Sequence, residues 1–75
     1  PNPVQNQLLV AIPNQNARDV SIEILNFNGQ IIEQITDFNI QSKTYEFNLE
    51  TLAAGLYFIK IKDGNRITKR RIVKN

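Results

Sequence analysis

Carboxylates are the side chains in this 75-residue chain best suited to catalysis. Glycoside hydrolysis needs two of them about 5–9.5 Å apart in a cleft. The alternation of apolar and polar residues places most carboxylates on outward strand faces or in turns, namely Glu23, Glu33, Asp37, Glu46 and Glu50. A domain of this size also has little room for a deep pocket that excludes water. We therefore predict that these carboxylates are solvated and that the chain is not an enzyme.

Basic side chains are concentrated at the C-terminal end. Residues 60–75 carry seven Lys and Arg against Asp63, a net charge of +6, whereas residues 1–59 have a net charge of −4. Such a basic end is suited to phosphate contacts. Nucleic-acid modules usually add aromatic residues for base stacking, and residues 62–75 contain none. We expect no nucleic-acid partner, and we interpret the charges as protection of an edge strand against association.

Missing residue types exclude several kinds of site. The chain has no Cys and no His, which excludes zinc fingers, thiol nucleophiles, Ser-His-Asp triads and imidazole-bound metals. No apolar run approaches the roughly 20 residues that span a bilayer, and no segment resembles a signal peptide. We expect no cofactor, no metal and no membrane insertion. Carbohydrate sites favour exposed aromatic rings, but Trp is absent and we expect the aromatic residues to pack in the core.

The spacing of apolar residues has a period of two, which is typical of half-buried strands. Val20, Ile22 and Ile24 alternate with polar residues, and the same pattern recurs in residues 8–12, 44–49 and 56–62. Ile and Val account for 15 residues and Ala for only four, a balance that favours sheet over helix. Only residues 50–54 are candidates for a helical turn.

Turn residues separate these strands at short intervals. Asn28-Gly29 predicts a hairpin with a type I′ turn, and Asp63-Gly64-Asn65 predicts a second hairpin. The pattern gives about seven short strands, as in an antiparallel sandwich. Two of them are residues 30–35, the return strand of the first hairpin, and a separate short piece at residues 38–40. We predict one all-β domain over residues 1–75, a small Ig-like or fibronectin-like β-sandwich, and we expect it to be monomeric.

Two features near the C-terminus predict local structure. Leu52-x-x-Gly55-x-Tyr57 is typical of a tyrosine corner, in which the hydroxyl bonds nearby backbone and a glycine supplies an unusual φ. The last strand, residues 66–74, fits a sandwich less well. If Ile67 faces inward, Lys69 and Arg71 share its face, so we predict an exposed edge strand.

The order of these pieces resembles a known family. The segments are Pro1-Asn2-Pro3-Val4, Asn6-x-Leu8, the strand of Val20, Ile22 and Ile24, Asn28-Gly29-Gln30, Leu49-x-x-Leu52-x-x-Gly55-Leu56-Tyr57-Phe58-Ile59-Lys60-Ile61, and Lys69-Arg70-Arg71-Ile72-Val73-Lys74. Each motif is common by itself, but their joint order and spacing are specific. The chain resembles, over essentially its whole length, the type A C-terminal sorting domain of the type IX (Por) secretion system of Bacteroidetes.

The resemblance implies a transport role. Domains of this family lie at the end of larger secreted proteins, which reach the periplasm through their own signal peptides. The domain then directs its cargo through the outer-membrane translocon to the cell surface or the extracellular space. A sortase-like cysteine protease commonly removes it and joins the cargo to anionic lipopolysaccharide. These two proteins are the partners that the resemblance implies, and the cleavage site would lie upstream of Pro1.

By the same resemblance, the sorting motifs fall on three segments of this chain. They comprise Pro1, Asn2 and Pro3, then Gly55, Leu56, Tyr57, Ile59, Lys60 and Ile61, and finally Lys69, Arg70, Arg71 and Lys74. The strand pattern alone also allows an alternative function. An Ig-like accessory, adhesion or carbohydrate-binding module of an extracellular protein would have the same pattern.

Overall fold

Six β-strands form within residues 6–75, the part of the chain that the computed structural model describes. They are β1 (Gln7–Ile12), β2 (Arg18–Asn26), β3 (Ile31–Ile40), β4 (Lys43–Asn48), β5 (Gly55–Asp63) and β6 (Arg66–Lys74). All pairings are antiparallel, in one sheet of order β1–β4 and another of order β3–β2–β5–β6. The prediction of an all-β sandwich is confirmed.

The number of strands differs from the predicted seven, because two predicted pieces form one strand. Residues 31–35 and 38–40 both belong to β3, which pairs with β2 along its length. Register shifts near its ends absorb the irregular residues, and Asn39 takes a positive φ of 57°. A β-bulge of this kind lets a strand continue where the sequence pattern changes phase.

The core lies between the two sheets and is made by the alternating residues that predicted the strands. β2 contributes Val20, Ile22 and Ile24, and Phe47 of β4 is fully buried against them. Side chains of a strand point alternately to opposite faces, so each strand supplies its core residues at every second position. The remaining core side chains are Leu8, Val10, Ile12, Tyr45, Leu49, Ile59 and Ile72.

The two hairpin turns differ in backbone conformation, and the first is not the predicted type I′ turn. A type I′ turn needs positive φ at both central residues. In the first hairpin only Gly29 has it, at 85°, and the side-chain oxygen of Asn26 accepts hydrogen bonds from the N–H groups of Asn28 and Gln30. The type I′ prediction for Asn28-Gly29 is therefore wrong. In the second, Gly64 has φ 61° and Asn65 does not, which fits a type II′ turn.

Residues 50–54 do not form a helix. The N–H of Leu52 donates to the carbonyl oxygen of Leu49 at 3.0 Å, which closes a single turn between β4 and β5. This turn leads directly to Gly55, where β5 begins.

Candidate interaction site

The structure brings two of the three predicted motif segments together. The segment from Gly55 to Ile61 lies in β5 and the segment from Lys69 to Lys74 lies in β6, and the two strands pair directly. Gly55 lies opposite Lys74, and Ile59 lies opposite Arg70. We call this pair of strands, Gly55–Asp63 with Arg66–Lys74, the β5–β6 ribbon. Pro1, Asn2 and Pro3 lie outside the described residues.

The inner face of the ribbon packs against the core. Ile59 and Ile72 are buried, with Tyr57 and Ile61 partly buried beside them. β6 pairs with β5 in continuous register, so Ile72 points inward and Val73 outward without a bulge. Ile67 faces outward and is 55% exposed. This is opposite to the inward orientation that would have placed Lys69 and Arg71 on the inner face of β6. β6 is thus an integral part of the sandwich.

Lys74 departs from the expectation of an exposed basic end. Its side chain occupies the same face of β6 as Ile72, and the residue is only 8% exposed. Its neighbour across the ribbon is Gly55, which has no side chain to compete for space. The prediction that all the basic residues of this end are exposed is wrong for Lys74, while Lys69, Arg70 and Arg71 are exposed.

The outer face of the ribbon combines cationic and apolar side chains. Lys60 and Lys69 lie directly opposite one another, and Phe58 lies opposite Arg71. Like charges opposed on neighbouring strands reduce sheet stability. Glu23 lies opposite Lys60 on the other side of β5 and offsets part of this repulsion. A shallow cleft of about 380 Å³ runs beside these residues and includes Phe27 and Leu25.

Three of the six aromatic residues are exposed, contrary to the prediction that they pack in the core. Phe27 is 71% exposed and Phe38 and Phe58 are also exposed, whereas Tyr45 and Phe47 are buried. Phe27 follows the end of β2 and Phe58 has the outward parity of β5. The parity of Phe58 relative to Tyr57 and Ile59 was a signal in the sequence for its outward position.

The tyrosine corner is confirmed. The hydroxyl of Tyr57 donates a hydrogen bond to the backbone carbonyl oxygen of Ala53 at 2.6 Å. Gly55 has a φ of 148°, a conformation that side chains other than that of glycine rarely permit. This device ties the first residues of β5 to the preceding turn and sets where the ribbon begins.

Arg18 joins two loops to the end of β5, at the opposite end of the ribbon from the tyrosine corner, and sequence reasoning missed it. Its Nε and Nη2 atoms donate to the carboxylate of Asp63, and further hydrogen bonds reach the carbonyl oxygens of Gln41 at 2.6 Å and Pro13 at 2.8 Å. Hydrogen bonding from Arg18 lowers the pKa of Asp63 below its usual value. Arg18 and Asp63 are far apart in the chain, so no local pattern links them. We call this ion pair the Arg18 clamp.

A second polar cluster joins β4 to β3. The hydroxyl of Tyr45 and the Nζ of Lys43 both donate to Oδ2 of Asp37 at 2.9 Å. Hydrogen bonds from Lys43 and then Tyr45 lower the pKa of Asp37. Burial, followed by the bond to Asp37, raises the pKa of Tyr45 to about 12. Asp37 is therefore a structural acceptor and not a solvated carboxylate as predicted.

Two features that would indicate function, a metal-binding cluster and a membrane-spanning helix, are absent from residues 6–75. Within residues 6–75 no cluster of three or more His, Cys, Asp or Glu is placed to hold a metal ion. Over the same residues no helix has the length and apolar character needed to cross a membrane. The ribbon instead offers interleaved apolar and cationic side chains, which suit noncovalent binding to a partner with complementary charge.

Comparison with known proteins supports one family over the full length of the chain. A sequence model of the family described as "Secretion system C-terminal sorting domain" matches residues 1–75. Neither a curated protein nor a solved structure matches the chain significantly. The family match includes all three motif segments, among them both strands of the β5–β6 ribbon.

Proposed function

The chain belongs to the family of type IX secretion C-terminal sorting domains, and from this premise we propose how it serves export. Membership makes the chain a sorting signal, implies interaction with the type IX secretion machinery, and implies export to the cell surface or the extracellular space. The observation that carries the proposal is the family match over all 75 residues.

The proposed pathway has three steps beyond this general role. The chain forms the C-terminal domain of a larger cargo protein that first enters the periplasm. It then directs that cargo through the outer-membrane translocon. A sortase-like cysteine protease finally removes the domain and attaches the cargo to the cell surface. In this proposal the domain is monomeric and acts by being recognised, without catalytic activity, cofactor, metal, nucleic acid or insertion into the membrane.

We propose the β5–β6 ribbon as the part of the domain that the machinery contacts. The two motif segments that the structure describes lie on it side by side, and Lys60, Lys69 and Arg70 form no ion pair within residues 6–75. Cationic side chains that the fold leaves unneutralised are suited to orienting an acidic partner. Lys74 is not included among these contact residues, because it is buried and reversing its charge would also disturb folding.

A secretion assay tests the sorting role. Residues 1–75 are fused to the C-terminus of a periplasm-targeted fluorescent protein in a host with a working type IX system. We expect fluorescence in the surface and medium fractions, and retention in the periplasm of a translocon-deficient strain. Equal export from both strains, or retention in both, would contradict the proposal.

The same assay tests the ribbon with charge reversals. Lys69→Glu combined with Arg70→Glu is expected to reduce export severalfold while changing the unfolding midpoint little, since exposed charges contribute little to stability. The control is Lys62→Glu, a charge reversal at an exposed lysine of β5 that lies outside both motif segments. If the variant with Lys69→Glu and Arg70→Glu is exported as well as Lys62→Glu, Lys69 and Arg70 play no part in recognition.

An accessory or adhesion module is the second candidate function, and one observation favours it. Phe27 and Phe58 expose aromatic rings near the 380 Å³ cleft, where a saccharide or a protein ligand would find an apolar surface. Under this alternative the fusion would remain in the periplasm in every strain. Phe27→Ser would then abolish ligand binding in an array of immobilised glycans, whereas a sorting signal would give no binding in that array.

A further inference from the structure

β1 differs from the other strands that end a sheet in having no charged residue. β3 and β4 carry carboxylates or lysines, and β6 carries five basic residues. β1, Gln-Leu-Leu-Val-Ala-Ile, has neither charge nor proline, and within residues 6–75 it pairs only with β4. Edge strands usually carry such residues to prevent the addition of another strand. Within residues 6–75, no strand pairs with the other edge of β1, which can therefore accept an added strand.

A cleft of about 440 Å³ lies beside β1. The cleft arises because the two-stranded sheet β1–β4 covers only part of the four-stranded sheet. Part of the inner face of the ribbon next to β1 is therefore left uncovered. Ile59, Ile61 and Ile72 line it from the ribbon, and Leu8 to Ala11 line it from β1. On the solvent side of β1, Leu9 is 57% exposed. A strand added to β1 would cover apolar side chains on both of its faces.

Arg70 lies in the same cleft. It is opposite the buried Ile59 across the ribbon, so the alternation of β6 directs it to the inner side, yet the residue is exposed. Within residues 6–75 it forms no ion pair. A strand that offers no acceptor would cover this cation at a desolvation cost, so the position favours a strand that carries a carboxylate.

We propose that β1 accepts an extended segment of a partner protein as an added strand, with a carboxylate of that segment bound by Arg70. The segment matches the six residues of β1 and has apolar side chains at alternate positions facing Ile59 and Ile72. This inference deepens the proposed function, because the donor of the strand would be a component of the export machinery. A second copy of the chain is a poorer occupant, because its β1 has no carboxylate and its own Arg70 would add positive charge.

A peptide titration followed by NMR tests this site on isotopically labelled residues 1–75. The probe is a short synthetic peptide in which Val alternates with Thr and a single Glu. We expect shift changes and slowed amide exchange concentrated in Gln7–Ile12. A peptide with Gln in place of Glu should bind about tenfold more weakly, as expected for the loss of a charge-assisted hydrogen bond.

Variants of the domain connect the effect to Arg70. Arg70→Glu is expected to lower the affinity for the Glu peptide by at least about tenfold and to bind a peptide with Lys in place of Glu more tightly than the Glu peptide. A purely structural role of Arg70 would not produce this reversal of preference. Arg70→Gln provides a milder change if Arg70→Glu fails to fold. Lys62→Glu changes the charge equally but lies outside the cleft, and its affinity for the Glu peptide should match that of the unaltered domain.

Three results would overturn the inference. They are the absence of binding at millimolar peptide, shift changes on the outer face around Phe58 without changes in β1, and concentration-dependent changes in β1 without peptide, which would indicate a second copy. Failure of this inference leaves the sorting role intact if the fusion is still exported. Failure of the fusion to be exported would instead contradict the sorting role, whether or not the peptide binds.

Discussion

The Arg18 clamp and the β5–β6 ribbon use charged residues in opposite ways. Arg18 is hydrogen-bonded to Asp63 and to the carbonyl oxygens of Pro13, Asn16 and Gln41, so its charge is neutralised within the fold. Lys60, Lys69 and Arg70 of the ribbon form no ion pair within residues 6–75, and two of them face each other across neighbouring strands. The clamp connects the loops at Pro13 and Gln41 to β5 through the hydrogen bonds and the ion pair of Arg18. The ribbon carries its charge at some cost to its own stability.

The difference indicates what stabilises each region. Because Lys60, Lys69 and Arg70 form no ion pair within residues 6–75, this part of the ribbon must be held by apolar packing and by its backbone. Ile72 supplies the packing, and the corner formed by Gly55 and Tyr57 supplies the backbone constraint. The ribbon can then change its surface charges without unfolding, which is the property that a recognition surface requires. Three predictions test this division, from the largest expected effect to the smallest.

The largest effect is expected from Ile72→Ala. Ile72 is 4% exposed, and truncation of a buried Ile to Ala costs about 2–5 kcal/mol. Ile67→Ala is the matched control on the same strand, and a change of about 0.5 kcal/mol or less is expected for this exposed side chain. Urea unfolding of both variants measures the free energies. Similar losses in the two variants would show that β6 is not anchored through its inner face.

Gly55→Val is expected to have an intermediate effect. The φ of 148° at Gly55 is strained for any other residue, although no atom lies within 4 Å of the position where a Cβ would be. Strain alone should destabilise the domain by about 1–3 kcal/mol. Tyr57→Phe removes only the bond to Ala53 and should cost about 1 kcal/mol. An unchanged melting temperature for Gly55→Val would refute the backbone constraint.

The smallest effect concerns the pH dependence of the Arg18 clamp. Arg18 lowers the pKa of Asp63, so the ionised carboxylate stabilises the folded state. This contribution is complete above the unfolded pKa of about 3.9 and is lost as the pH falls through the lower folded value. Asp63→Asn lacks it at every pH. The stability gap between the unaltered domain and Asp63→Asn, measured by urea unfolding, should therefore narrow on acidification from about pH 5 to about pH 2.

If the stability difference between the unaltered domain and Asp63→Asn does not change with pH, the effect of the substitution does not come from the ionised carboxylate. That result would contradict the assigned role of the Arg18 clamp. Asp19→Asn is a suitable control. Asp19 is exposed and accepts a single hydrogen bond, from the N–H of Asn39, so its variant tests a carboxylate outside the clamp.

Much of the ribbon could be predicted from the sequence because it depends on local spacing. Leu52, Gly55 and Tyr57 are close in the chain, and the corner that they form involves only neighbouring backbone. The alternation within β5 and β6 likewise fixed which residues share a face, but not which face is buried. That choice was wrong for Ile67 because the sequence does not show where the opposite sheet lies.

Residue spacing and motif order were sufficient to predict the all-β class, most strand positions, the tyrosine corner and the family. These follow from residue spacing over a few positions and from the order of motifs. Three features become visible only in the folded chain: Arg18 reaches Asp63, Lys74 is buried opposite Gly55, and β1 lies beside an open cleft. Each of these depends on how two sheets of unequal width pack together, and contacts between residues distant in the chain leave no local pattern.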